Sequence, residues 1–179
     1  YSHIAVENLY KDADIKTCST FEDTFKLAFN DPSIKIVIPI ENSLAGRVAD
    51  IHHIMPDSGL YIIGERFLRV NHHLLAPKGA TLKSIRRVHS HVMALGQCGK
   101  FLRKNGLEPV VHADTAGAAA DIAAAGDKTE AAIASELAGE VYGLKSIRAS
   151  VEDAEHNTTR FVVMARWHAG EAMNMVRWG

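Results

Sequence analysis

The chain has 179 residues, 47% of them hydrophobic and 23% charged, which suits an ordinary globular protein with a full-sized core. Lysine plus arginine total 20 against 21 aspartates and glutamates, with no basic block, so electrostatic binding of nucleic acid has little support, and an aromatic content of 7% is too thin for a base-stacking surface. No apolar stretch approaches the roughly 18 residues that span a bilayer, and no signal peptide is read.

In chain order, Tyr1 leads into a helical pattern over 4–11 with nothing before it to dock against, so an N-terminal strand and its turn are expected to be missing. A short strand is predicted at 15–17. Thr20 is placed to cap a helix, with Asp23 in its first turn and Phe21, Thr24, Phe25, Ala28 and Phe29 at helical spacing. After a turn at 31–33, the apolar run 34–40 reads as a buried strand that breaks off into Glu41-Asn42-Ser43, with Gly46 and Arg47 just beyond. A helical segment over 49–55 ends at Pro56. Segments 61–70 and 72–76 read as extended. Strand 87–89 runs into Ser90, which would cap a helix over 92–104 that carries Gln97. Strand 110–113 leads to Asp114 or Thr115 as the cap of an alanine-rich helix through 125, read as a close-packing helix. Strand 131–134, a helix over 136–142 closed by Gly143, and a strand over 161–165 complete the pattern. Strands alternating with helices predict an α/β fold of mainly parallel sheets covered by helices.

Several strand ends carry small polar side chains: Glu41-Asn42-Ser43, Ser90, Asp114-Thr115 and, before a strand, Asn157-Thr158-Thr159-Arg160. Ligands bind at the carboxyl ends of strands in open α/β sheets, and the helix that follows offers free N–H groups to an anion. For any one junction the plainer reading is an ordinary helix cap. Cys18 and Cys98 are the only cysteines, fewer than a disulfide-stapled scaffold would carry, so a reducing, cytoplasmic setting without a disulfide is expected. His52-His53, His72-His73 and His89-x-His91 lack metal-ligand spacing, and no metal site is expected. The basic stretch 83–87 reads as a solvated face.

The segments Pro39-Ile40-Glu41-Asn42-Ser43, Ser90 with Gln97-Cys98, Asp114-Thr115-Ala116, Ala131 to Ser135 with Tyr142-Gly143-Leu144, and Asn157-Thr158-Thr159-Arg160-Phe161 resemble, in kind and order, the catalytic domain of prephenate dehydratases. The likeness runs from Tyr1 to about Arg166; residues 167–179 match nothing in the family, and no regulatory ACT pattern is found. The resemblance implies two α/β lobes like type II periplasmic binding proteins, with the site in a cleft between them. Lobe one would be 1–70 plus 156–179, and lobe two 71–155. It implies decarboxylative dehydration of the small-molecule substrate prephenate to phenylpyruvate, CO2 and water, with no cofactor and no metal, in a homo-oligomer that is a dimer or larger.

The resemblance also assigns residues. Thr159 would hydrogen-bond or protonate the leaving hydroxyl. Glu41 is the other catalytic candidate, a proton source if burial raises its pKa. Asn42, Ser43, Ser90, Gln97 and Asn157 would orient the substrate. Thr115 would take a carboxylate at its helix end. Arg160 would pair with a substrate carboxylate, or else form an internal salt bridge with a residue such as Glu41. Arogenate dehydratase, and a non-catalytic two-lobed module that binds small anions, are the alternatives.

Overall fold

A computed structural model describes residues 1–154 and 156–166. In chain order the elements are α1 (Ser2–Leu9), α2 (Phe21–Asn30), β1 (Ile36–Asn42), β2 (Gly46–Arg47), α3 (Ala49–Ile54), β3 (Leu60–Arg69), β4 (His73–Ala76), β5 (Arg87–Ser90), α4 (Val92–Gln97), α5 (Gly99–Lys104), β6 (Glu108–Val111), α6 (Thr115–Ala125), β7 (Glu130–Ala134), α7 (Glu136–Tyr142), β8 (Lys145–Arg148) and β9 (Thr158–Arg166). They form two compact units. A terminal unit contains Ser2–Asn42, Gly46–Leu68 and residues 159–166. A central unit contains Tyr1, Ser43–Ala45 and Arg69–Thr158.

The terminal unit is built on a four-stranded sheet in the order β2-β1-β9-β3. Alternate residues of β1, Ile36, Ile38 and Ile40, turn inward onto Phe25 and Ala28 of α2 and Ile51 of α3. Thr20 caps α2 by accepting from the Asp23 N–H at 3.1 Å, as its position predicts. Strand β9 is buried without interruption from Phe161 to Ala165, the pattern of a strand in the middle of a sheet.

The β1–β9 ladder is antiparallel and pairs Ile36 with Met164 through Pro39 with Phe161. It then slips, so that Glu41 faces Arg160 and Asn42 faces Thr159. Between those pairs β1 advances two residues and β9 one. The extra residue is Ile40, directly after a proline that cannot donate to the ladder, a place where bulges belong. The Ile40 carbonyl is not lost: it accepts from the Val48 N–H at 3.1 Å.

The central unit carries a five-stranded sheet in the order β6-β5-β7-β4-β8. Two apolar layers cover it. One contains Leu74, Val88, Leu95, Leu102, Ala131 and Ile133. The other contains Leu75, Ala118, Ala119, Ile122, Ala132 and Ala134. Alternation along β7 sends Ala131 and Ile133 to one face and Ala132 and Ala134 to the other, and the alanines of α6 pack on the second face.

The α/β class is as expected, but the sheets are mixed and not mainly parallel. Strand β5 runs parallel with β6 and with β7; β4 pairs antiparallel with both β7 and β8, and β1 with β2 and β9. The parallel pairs are those linked through crossover helices. Strands β4 and β9 each follow a strand of the other unit directly, β3 and β8, so neither is brought into its own sheet by a crossover helix. Three smaller expectations also change. Residues 15–17 form no strand, and the predicted helix over 92–104 is two helices that meet at Cys98. The cap of α4 is His91, whose Nδ1 accepts from the Met93 N–H at 3.3 Å, and not Ser90. Residues 167–179 lie outside the described residues.

Glu130 opens β7 with its carboxylate nearly buried between Arg87, whose Nε donates at 2.7 Å, and His89 at 2.6 Å. Burial opposes its charge, but the bonds from His89 and Arg87 outweigh that and hold the carboxyl below its ordinary value. A depressed carboxyl contributes stability above its unfolded pKa of about 4.3 and loses it as pH falls through the lower folded value. Glu130→Gln is therefore expected to lower the denaturation midpoint at neutral pH, and the gap from the natural protein should shrink on acidification. A gap that stays constant down to pH 3 would show that the charge contributes nothing.

Candidate active site

Two groups of candidate residues form, one in each unit. In the terminal unit the bulge brings Asn42 opposite Thr159, and the Asn42 Nδ2 donates to Thr159 Oγ1 at 2.9 Å. Thr159 is 9% exposed. An amide nitrogen only donates, so the hydroxyl must accept in this bond. Its own proton is given to no other described residue and stays available to an acceptor from outside the fold.

Glu41 is the neighbouring position. In the ladder it stands between Arg47 on β2 and Arg160 on β9, and its side chain is exposed. The burial on which its expected role as an acid depended is not present. The Arg160 guanidinium turns to Glu65, with Nε and one terminal nitrogen both on Oε2 at 2.9 and 2.7 Å, and lies over the Phe67 ring with 5.8 Å from guanidinium carbon to centroid. Its carboxylate partner is thus internal, but it is Glu65 and not Glu41. Both side chains of that pair are more than a third exposed, so it adds little stability.

In the central unit Gln97, at the last turn of α4, meets Asn157. The Asn157 Nδ2 donates to Gln97 Oε1 at 3.0 Å, and the ring Nε2 of His72 lies 2.8 Å from the same oxygen. Asn157 is 1% exposed and His72 2%. The Asp153 N–H donates to the Gln97 carbonyl at 2.7 Å, so the segment before β9 is fastened along α4.

The remaining candidates stand apart. Ser43 is a fastener: its N–H donates to the Thr158 carbonyl at 2.8 Å, its hydroxyl donates to the His156 carbonyl at 2.9 Å, and that hydroxyl accepts from the Thr158 N–H at 3.0 Å. Ser90 is fully buried and donates to the Ile133 carbonyl at 2.6 Å, which ties β5 to β7. Thr115 is the first residue of α6; the cap is Asp114, whose Oδ1 accepts from the Gly117 N–H at 2.7 Å. A Cβ at Gly117 would sit 2.7 Å from the Asp114 carboxylate, so only glycine fits that close cap.

Sequence reasoning missed Glu65 and weighed His72 only as half of a histidine pair. Neither residue carries a local signal, because each acts through a partner far along the chain. Among the described residues no three histidine, cysteine or acidic side chains converge as metal ligands, and Cys18 and Cys98 are free thiols. A cavity of about 690 Å³ lies within the terminal unit against α1, residues 13–21 and Ile36 to Pro39 of β1; none of the candidate residues lines it. No helix among the described residues is long and apolar enough to cross a membrane.

The family model for prephenate dehydratase matches residues 1–169. The chain belongs to the prephenate dehydratase family. It is 43% identical over 166 residues to a bifunctional N-acyl-homoserine lactone acylase/prephenate dehydratase of Komagataeibacter europaeus, covering 93% of this chain and 59% of that protein. Over the same length it is 39% identical to arogenate dehydratase/prephenate dehydratase 2, chloroplastic, of Arabidopsis thaliana, covering 93% of this chain and 44% of that one. A solved prephenate dehydratase from Staphylococcus aureus superimposes with a TM-score of 0.80 at 25% identity, over 93% of this chain and 62% of that chain. The chain therefore spans about half the length of the curated relatives it matches.

Proposed function

We propose that this chain converts prephenate to phenylpyruvate, CO2 and water, and that Thr159 acts on the departing hydroxyl. The observation that carries the reading is the hydrogen bond from Asn42 to Thr159. Loss of the ring carboxylate as CO2 leaves its electron pair in the ring. That pair completes the aromatic system as the hydroxyl leaves, and one proton must reach the leaving oxygen to make water. The step needs a donor aimed at that oxygen, and no electrons are taken from or given to a third party. Thr159, held as an acceptor by Asn42, has its proton to offer. An alcohol is too weak an acid to be the final source, so its part is a hydrogen bond that stabilises the departing oxygen while solvent supplies the proton. Glu41 is exposed and stands one residue before Asn42 on the same strand, and a Glu41→Gln variant with an unchanged pH profile would remove it from consideration.

Gln97 and Thr115 are assigned to the substrate's carboxylates, Gln97 through its amide N–H groups and Thr115 through the first turn of α6. Arg160 is given a supporting role through Glu65. Ser43, Ser90 and Asn157 are given the structural roles that their own bonds describe. A cytoplasmic setting and a homo-oligomer belong to the same proposal, and sedimentation equilibrium reads the second.

The test is direct. Purified protein is mixed with prephenate and phenylpyruvate absorbance is followed, with arogenate in a parallel reaction assayed for phenylalanine because the Arabidopsis relative is named for both. An N-acyl-homoserine lactone belongs in a third, since the Komagataeibacter relative is named for that activity too. Tight binding of prephenate with no turnover would favour the anion-binding module over the enzyme.

Asn42 gives a second expected result. Read from sequence as an orienting residue, it would mainly affect KM. Its bond to Thr159 changes that: Asn42→Ala should lower kcat about tenfold to a hundredfold with KM little moved, since the lost bond is one that readies the chemical group. Steady-state kinetics decides between the two.

A further inference from the structure

Gln97 is held in one orientation by its neighbours. Its Oε1 receives two donors, the ring of His72 at 2.8 Å and Nδ2 of Asn157 at 3.0 Å, and a carbonyl oxygen has two lone pairs to give. Turning the carboxamide over would set its NH2 against those donors. The amide nitrogen therefore points the other way, and neither of its N–H groups is taken by a described residue. Two coplanar donors on one nitrogen suit an oxyanion.

The same bond fixes one end of the imidazole. Oxygen Oε1 cannot donate, so the His72 Nε2 must carry hydrogen, while Nδ1 faces the Tyr1 hydroxyl at 2.9 Å, whose single proton is donated to the Asn71 carbonyl at 2.8 Å. The Tyr1 ring meets the imidazole edge-on, with centroids 5.6 Å apart. The backbone of His72 is anchored on both sides, its N–H to the Glu152 carboxylate and its carbonyl to the Val151 N–H, each at 2.9 Å. Burial lowers the His72 pKa, against the pull of Gln97 and Glu152. Each of these contacts limits the movement of the ring, and the ring in turn limits Gln97.

We infer that His72 is a positioning residue: its Nε2–H, with the Asn157 amide, locks the Gln97 carboxamide so that both Gln97 N–H groups are presented to a carboxylate of the substrate. The inference rests on the assignment of Gln97 to substrate binding made above. It predicts an effect on KM, because a carboxylate that does not react is held alike before and during the reaction.

The experiment is a double-mutant cycle on prephenate turnover with His72→Leu, Gln97→Ala and the double variant, alongside His72→Gln, whose amide can replace the ring donor. His72→Leu should raise KM about tenfold with kcat within threefold, the loss expected when one hydrogen bond to a charged group weakens. His72→Gln should recover most of it. The double variant should be no worse than Gln97→Ala alone, since His72 acts through Gln97. Additive effects, or a KM for His72→Leu within threefold of the natural protein, would overturn the inference while leaving the activity in place. A natural protein that neither turns over nor binds prephenate would instead sink the functional reading. Nitrogen-15 shifts of the ring in the natural protein give an answer that needs no variant to fold: a ring that carries hydrogen at Nε2 is expected, and one protonated at Nδ1 alone would refute the lock.

Discussion

Thr159→Ala is expected to lower kcat by about a hundredfold to a thousandfold, the range for removing one donor aimed at a developing charge, with the fold and KM largely kept. The side chain is small, and among the described residues its hydroxyl's bond is the one it accepts from Asn42. Removing it costs the fold little and the reaction its directed hydrogen-bond donor. Thr159→Ser should recover a large part of the rate, because the hydroxyl returns even though the methyl that limits its rotamers is lost. Asn42→Asp separates this account from a purely steric one. The aspartate has nearly the shape of the asparagine but can only accept. It would draw the Thr159 proton to itself and leave the leaving oxygen without a donor. A rate for Asn42→Asp close to that of the natural protein would show that the direction of this bond is irrelevant. An unchanged kcat in Thr159→Ala would remove Thr159 from the chemistry altogether.

The largest loss of stability is expected from Phe161→Ala, about 3 to 5 kcal/mol. Phe161 is 1% exposed and is the largest fully buried side chain among the described residues. It lies across the ladder from Pro39, the last pair before the bulge that sets Asn42 against Thr159. The loss combines transfer of an aromatic ring to water with a cavity that two paired strands cannot close. Set against a typical total of 5 to 15 kcal/mol, it would leave a marginal protein, and thermal unfolding should begin roughly 10 °C lower or more. Phe161→Leu, which refills most of the space, should cost far less. If circular dichroism finds the two variants equally stable, the ring is not the packing element that its burial describes.

Much of the fold was legible because its signals are local. The alternation of Ile36, Ile38 and Ile40, the cap at Thr20, the alanine-rich run of α6 and the left-handed Gly143 after α7 each depend on residues within a turn or two of one another. The direction of the strands was less legible. Parallel pairing was read from a rhythm of strands and helices, and β4 and β9 break that rhythm by following other strands directly. The absence of helical pattern between 61–70 and 72–76 was the available clue.

The candidate site divides along the same line. By itself the amino-acid sequence determined the class of the fold, the family through Glu41-Asn42-Ser43 and Thr159-Arg160-Phe161, and the polar residues worth testing, since these reside in composition, short-range pattern and motif order. Only the tertiary structure decided what each hydroxyl and amide is bonded to. The bond from Asn42 to Thr159 joins residues 117 apart, the pair of Arg160 with Glu65 residues 95 apart, and Asn157 reaches Gln97 across 60. Hydrogen bonds form between atoms about 3 Å apart, and one bulged residue in β1 shifts which residue of β9 lies opposite. No pattern along the chain encodes that register, so the division of these residues into donors, fasteners and bystanders is a property of the fold.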